Sequence, residues 1–179
     1  FPLRNRATEF HQAIVILGLG QLRQRIYLMC TDNSEEEMDE SQQELLKLSF
    51  IRATFASELM KFAKKMPIGR NDAYLLGMFS TLNHLIAAPM EEILAEIPIA
   101  EPVKKALLYH EGRCGLLYDL VLGYERADWS VIGSLAEELN IPVDQLTDTY
   151  FRCLEEVNTI WQQLMEVNNA PAPAPAESK

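Results

Sequence analysis

Residues 72–86 read DAYLLGMFSTLNHLI. Tyr74, Leu75, Leu76, Met78, Phe79, Leu82, Leu85 and Ile86 leave this stretch no wide polar face, which predicts one buried central helix along its whole length. Gly77 weakens such a helix relative to alanine, so its expected use is the close approach of a neighbouring helix. Ser80, Thr81 and Asn83 are the polar side chains along its middle. Pro67 and Gly69 end the preceding element, and Asn71 or Asp72 is the expected N-cap.

The flanking segments carry helical spacing too. Glu44–Met66 reads as the clearest amphipathic helix, with Leu48, Ile51, Phe55, Leu59, Phe62 and Met66 inward and Arg52, Lys61, Lys64 and Lys65 on other faces. Downstream, Pro89 and Pro102 open short helices, and Gly112 and Gly115 punctuate the chain. Leu117, Leu120, Val121 and Tyr124 then define a helix to about Arg126. Asp128 caps the next, with Trp129, Ile132, Leu135, Ala136 and Leu139 inward. After Pro142, Leu146, Tyr150, Leu154, Val157, Trp161 and Leu164 form the stripe of a last helix. Upstream, Phe10, Ala13, Ile14 and Leu17 mark one helix, Gly18 and Gly20 break it, and Leu22, Ile26 and Met29 mark a second. Residues 31–43 are acidic and almost free of apolar side chains, as in a solvated loop or a frayed helix start. They contain no glycine, which excludes a calcium loop. With no period-2 pattern, the expected fold is an all-α bundle of about nine helices over residues 1–167. Residues 168–179 then form an Ala/Pro-rich tail or linker. A first residue that is not Met suggests part of a longer chain, and hence an N-terminally incomplete domain.

The chain has 179 residues, 48% of them hydrophobic, enough for a sizeable core. A net charge of −10 and a pI near 4.8 argue against nucleic acid or an anionic membrane as a partner. No apolar run is long enough to span a bilayer. Cys30, Cys114 and Cys153 are distant and odd in number, so they read as reduced thiols of a cytoplasmic protein.

Motifs for chemistry are sparse. Gly18-Leu19-Gly20 lacks the third glycine and the lysine of a phosphate loop, and there is no GxSxG. The histidines His11, His84 and His110 stand at no metal-binding spacing from one another. His84 and His110 remain the candidate ligands, the second also being placed to cap a helix end.

Several stretches in order resemble a known family. They are QAIVILGLGQLRQ (12–24), FIRATFASELM (50–60), AYLLGMFSTL (73–82), MEEILAEIPI (90–99) and VKKALLYHEGRCGLLYDLVLGYERADW (103–129). Over residues 8–165 the chain is similar to HDOD domains, the HD-related output domains, and most of all to those that follow an EAL domain in bacterial signalling proteins. The resemblance implies an all-α HD-type bundle. In the HD relatives the central helix carries a metal-binding His-Asp dyad, and alignment on the glycine puts Ser80 and Thr81 at those positions. A hydroxyl pair does not replace an imidazole and a carboxylate as metal ligands. The resemblance therefore implies no catalytic residue, no metal and no cofactor. It implies a signal-transduction output domain that is not an enzyme and works through protein contacts. Its partner would be another protein or a neighbouring EAL-like domain of cyclic-di-GMP phosphodiesterase type, and a homodimer is compatible with it. The alternative is a divergent HD-type phosphohydrolase that uses His84 and His110. At the corner Tyr124-Glu125-Arg126-Ala127-Asp128-Trp129, Tyr124, Arg126 and Trp129 are of the residue types that anchor interfaces. They equally suit a packed helix-to-helix corner, with Arg126 paired to a carboxylate.

Overall fold

The structure, a computed structural model, describes residues 40–86 and 88–168. Eight helices and no strand occur among the described residues, so the fold is an all-α bundle. The two upstream helices, His11, Cys30, residues 31–39 of the acidic stretch and the tail from 169 lie outside the described residues.

Helix α1, Glu40–Leu59, forms the middle of the bundle. No glycine or proline interrupts residues 40–66, so nothing local opposes the helix, and residues 40–43 of the acidic stretch are helical. Its buried face is not the expected stripe. Leu46, Ser49, Phe50, Ala53, Thr54, Phe55, Ala56 and Leu59 are buried, while Leu48 and Ile51 are half-buried. Small residues at 49, 53, 54 and 56 let other helices close on α1 from several sides. The helix also ends well before Met66. The Lys61 and Phe62 amides turn back to the Glu58 and Leu59 carbonyls at 3.1 and 3.0 Å, and Lys65 adopts a left-handed φ of 56°. Pro67 sterically disfavours helix at Met66.

Helix α2, Arg70–Phe79, packs on α1 more extensively than any other element. Its N-cap is Gly69 rather than Asn71 or Asp72. Asp72 sits at the third helical position and accepts the Gly69 N–H at 3.3 Å. Residues 73–80 are all buried. A β-carbon at Gly77 would overlap the backbone of Arg52 and Ala53, so the expected close approach is met there. The central helix is not continuous to Ile86, however. Ser80 Oγ donates to the Gly77 carbonyl at 2.6 Å and the Ser80 amide reaches the same oxygen at 3.3 Å. This hydroxyl bond to the residue three back tightens the last turn and closes α2. The Thr81 carbonyl then accepts the His84 and Leu85 amides, each at 3.1 Å, and opens the short α3, Leu82–Ile86.

Pro89 caps α4, Met90–Glu96, and Pro102 lies in the first turn of α5, Glu101–Tyr109. His110 ends α5 in the left-handed region, its amide bonded to the Ala106 carbonyl at 3.0 Å. Helix α6, Gly112–Glu125, begins earlier than expected. Gly115 does not break it; the glycine lets α6 press against the His110 backbone, which a β-carbon would overlap. Asp128 caps α7, Trp129–Leu139, as expected, by accepting the Ser130 amide at 3.3 Å. Helix α8, Val143–Asn168, buries Leu146, Thr149, Cys153 and Val157. That stripe is rotated slightly from the expected one, leaving Leu154 half-buried. Phe55 of α1 joins α6 and α8 through Tyr124 and Tyr150, the three ring centroids lying 5.4, 5.1 and 4.9 Å apart. No helix among the described residues is long and apolar enough to cross a membrane.

Candidate functional site

Ser80 and Thr81, at the break between α2 and α3, are 7% and 2% exposed and face α1. Thr81 Oγ1 is hydrogen-bonded to Ser49 Oγ, which also donates to the Leu45 carbonyl at 2.9 Å. Ser80 Oγ accepts from Arg52 Nη1 at 3.1 Å. Arg52 in turn grips Glu125, the last residue of α6, with two bonds of 2.7 Å, Nε to Oε2 and Nη2 to Oε1. The Arg52 side chain is 12% exposed and that of Glu125 is 21%. Burial works against the Arg52 charge, but the fork to Glu125 outweighs it and holds the guanidinium above its ordinary pKa. These groups form one polar junction that ties α1, the end of α2 and the end of α6 together.

One residue past Glu125 the chain turns outward. Tyr124 is 9% exposed, donates its hydroxyl to Thr147 Oγ1 at 3.0 Å, and so fastens the end of α6 to α8. Trp129 was expected inward and is 66% exposed. Its position as the first residue of α7, just after the Asp128 cap, holds the ring beside the bundle end rather than inside it. It touches the fold edge-on to Tyr124, with centroids 5.7 Å apart. The Arg126 side chain is exposed and makes no hydrogen bond or ion pair among the described residues, its amide alone bonding back to the Leu122 carbonyl at 3.1 Å. The expected pairing of Arg126 with a neighbouring carboxylate is not made, and the adjacent Glu125 is taken by Arg52.

The two histidine candidates do not meet. His84 is exposed on α3. His110 is paired with Asp119 through Nδ1 and stacked on Tyr118, centroids 5.0 Å apart and planes 28° from parallel. No group of three or more His, Cys, Asp and Glu side chains among the described residues is arranged to hold a metal ion. Cys114 and Cys153 are free and buried, and burial pushes their thiols up to about 11 and about 12.

Sequence reasoning missed Arg52 and Glu125. Arg52 looked like one charge on an outer face, and its partner stands 73 residues away. No local signal joins them.

No family model matches the chain. No solved structure matches it either. It is 33% identical over 139 residues to cyclic di-GMP phosphodiesterase CdgJ of Vibrio cholerae serotype O1, covering 78% of this chain and 31% of that protein. It is 29% identical over 154 residues to the protein YuxH of Bacillus subtilis strain 168, covering 86% of this chain and 36% of that protein. The chain thus spans about a third of the length of these relatives. It is related to a protein of cyclic di-GMP signalling. The expectation that the chain is not an enzyme is overturned by this comparison, because a relative is named for an enzymatic activity. The reason that expectation failed is physical. Hydroxyls at Ser80 and Thr81 describe one pair of positions, and they carry no information about the chemistry of the rest of a longer protein, of which the matched stretch is 31%.

Proposed function

We propose that this chain is the helical module, of the HDOD type, of a cytoplasmic cyclic di-GMP phosphodiesterase. The module sets that enzyme's activity by protein contact at the α6–α7 corner. The carrying observation is the 33% identity over 139 residues to a protein named for that activity. The all-α bundle and the order of the resembling segments support the HDOD assignment. The free thiols of Cys114 and Cys153 suit a reducing compartment. An exposed Trp129 beside Arg126, anchored on a rigid Tyr124, suits docking of a neighbouring EAL-like domain or a separate partner. Ser80 and Thr81 fasten helices in this scheme, and the Arg52–Glu125 fork connects that fastening to the corner.

The experiment is cyclic di-GMP hydrolysis, with a divalent cation supplied, by the whole protein that contains this chain and by the same protein with the chain excised. Hydrolysis by the whole protein at a rate that changes severalfold on excision is the expected result. A whole protein that leaves cyclic di-GMP intact overturns the assignment.

A further inference from the structure

Four of the five large apolar side chains exposed among the described residues lie on α7 and α8. They are Trp129 (66%), Val131 (37%), Val143 (55%) and Phe151 (60%). Val143, Thr147 and Phe151 stand at i, i+4 and i+8, on one face of α8. Thr147 at the centre of that row receives the Tyr124 hydroxyl, and Tyr124 carries Trp129 edge-on. The corner aromatic and the α8 row are therefore neighbours on one surface.

The charge beside this row is one-sided. Asp144, Asp148 and Glu155 are exposed and stand at −7, −3 and +4 from Phe151, on its own face of α8. Asp128 adds a carboxylate next to Trp129. Of the nearby cations, Arg152 is drawn back along its own helix to the Asp148 carbonyl and Thr149 Oγ1, each at 3.4 Å. Arg126 belongs to the C-terminal end of α6 and not to the α8 row.

Building on the proposed contact role of the corner, we infer that this surface takes a basic amphipathic helix of a partner protein. Apolar side chains of that helix would seat against Trp129, Val143 and Phe151, and its Lys or Arg residues against Asp144, Asp148 and Glu155. A second copy of the chain fits worse. It would set the same carboxylates against each other, and each copy already carries a net charge of −10.

The test uses the full 179-residue chain with Trp161→Phe, which leaves Trp129 as the one tryptophan. Its fluorescence is followed on titration with a synthetic Leu/Lys peptide that repeats Leu at helical spacing, and with a Leu/Glu peptide of the same length. The expected result is a saturable blue shift with the Leu/Lys peptide alone. Affinity should fall at least tenfold in D144K/D148K and in F151A. A control with the same charge change elsewhere, E91K/E92K on α4, should bind like the parent, and circular dichroism verifies that each variant is folded. Three results overturn the inference. One is equal binding of both peptides. Another is a D144K/D148K variant no weaker than E91K/E92K. The third is a blue shift that grows with protein concentration without peptide, which makes a second copy the occupant. Failure of the peptide test leaves the hydrolysis result untouched, and absence of hydrolysis leaves the peptide result untouched, so the two proposals fail separately.

Discussion

The end of α2 and the end of α6 are joined by one arginine and treat their side chains in opposite ways. At the end of α2, Ser80, Thr81, Ser49 and Arg52 are turned inward and satisfied by one another. At the end of α6, Glu125 is held inside by Arg52, while its neighbours in sequence, Arg126 and Trp129, face water. Polar groups fill the interior junction and an aromatic ring stands on the surface, the reverse of what residue type alone suggests. Buried hydroxyls and a paired arginine cost little once every donor has an acceptor, and here they fix the angle between helices. A tryptophan left two-thirds exposed on a buried tyrosine contributes little to that angle. The junction is built for stability, and the corner leaves its side chains free for the proposed contact.

Substitutions should separate the two regions, with the largest losses at the junction. Gly77→Ala places a methyl into the backbone of α1 and forces α1 and α2 apart. Urea unfolding should show a loss of about 3 kcal/mol or more, near the top of what overpacking costs; a loss under about 1 kcal/mol would mean that α1 can simply shift away. Glu125→Ala leaves Arg52 largely buried without its carboxylate. Solvent access at the pair reduces the usual cost of an orphaned buried charge, so about 2 kcal/mol is expected. The double variant Arg52→Met/Glu125→Leu should recover at least half of it, and a double variant as unstable as the single one would show that the fork itself holds the helices.

High pH tests the packing of α6 and α8 on the core. Cys114 and Cys153 rise from an ordinary thiol value near 9.0 to about 11 and about 12, so the folded state retains protons that the unfolded chain releases. Below pH 9 both states are protonated and the contribution is complete. Stability should fall as pH climbs from about 9 through about 12, and Cys153→Ala should flatten the upper part of that decline. A flat profile over this window would place the thiols in contact with water. Ser80→Ala is expected to be milder, about 1 kcal/mol, the usual value of one hydrogen bond with a charged partner left in reach of Glu125. A loss matching that of Gly77→Ala would make the helix break, rather than the close approach, the main constraint.

Helix identity was legible in the chain and helix boundaries were not. The apolar density around Gly77 announced both burial and close approach, because both are properties of the local stretch. The closure of α2 at Ser80 was not announced, since a serine can equally leave its hydroxyl in solvent; the outcome depends on Arg52 arriving from α1. The side on which Trp129 lands depends on the Asp128 cap and on where α8 crosses, neither of which shows in helical spacing. Leu48 and Ile51 look like core at spacings of three and four, yet α1 is enclosed from several sides and small residues decide which faces are closest. The resemblance of residues 8–165 to a signalling module was visible in the sequence. The link to cyclic di-GMP phosphodiesterases was implied by that resemblance as well; the expectation that failed was the non-enzymatic one, drawn from two hydroxyl positions in a chain that spans only about a third of its relative's length.

The contrast between junction and corner comes down to Trp129. In the whole protein that contains this chain, Trp129→Ala should change the rate of cyclic di-GMP hydrolysis at least threefold while altering the unfolding free energy by no more than about 0.5 kcal/mol, as for an exposed side chain. An unchanged rate, or a loss of stability as large as that of Glu125→Ala, would contradict the assignment of the corner to contact and return Trp129 to the core.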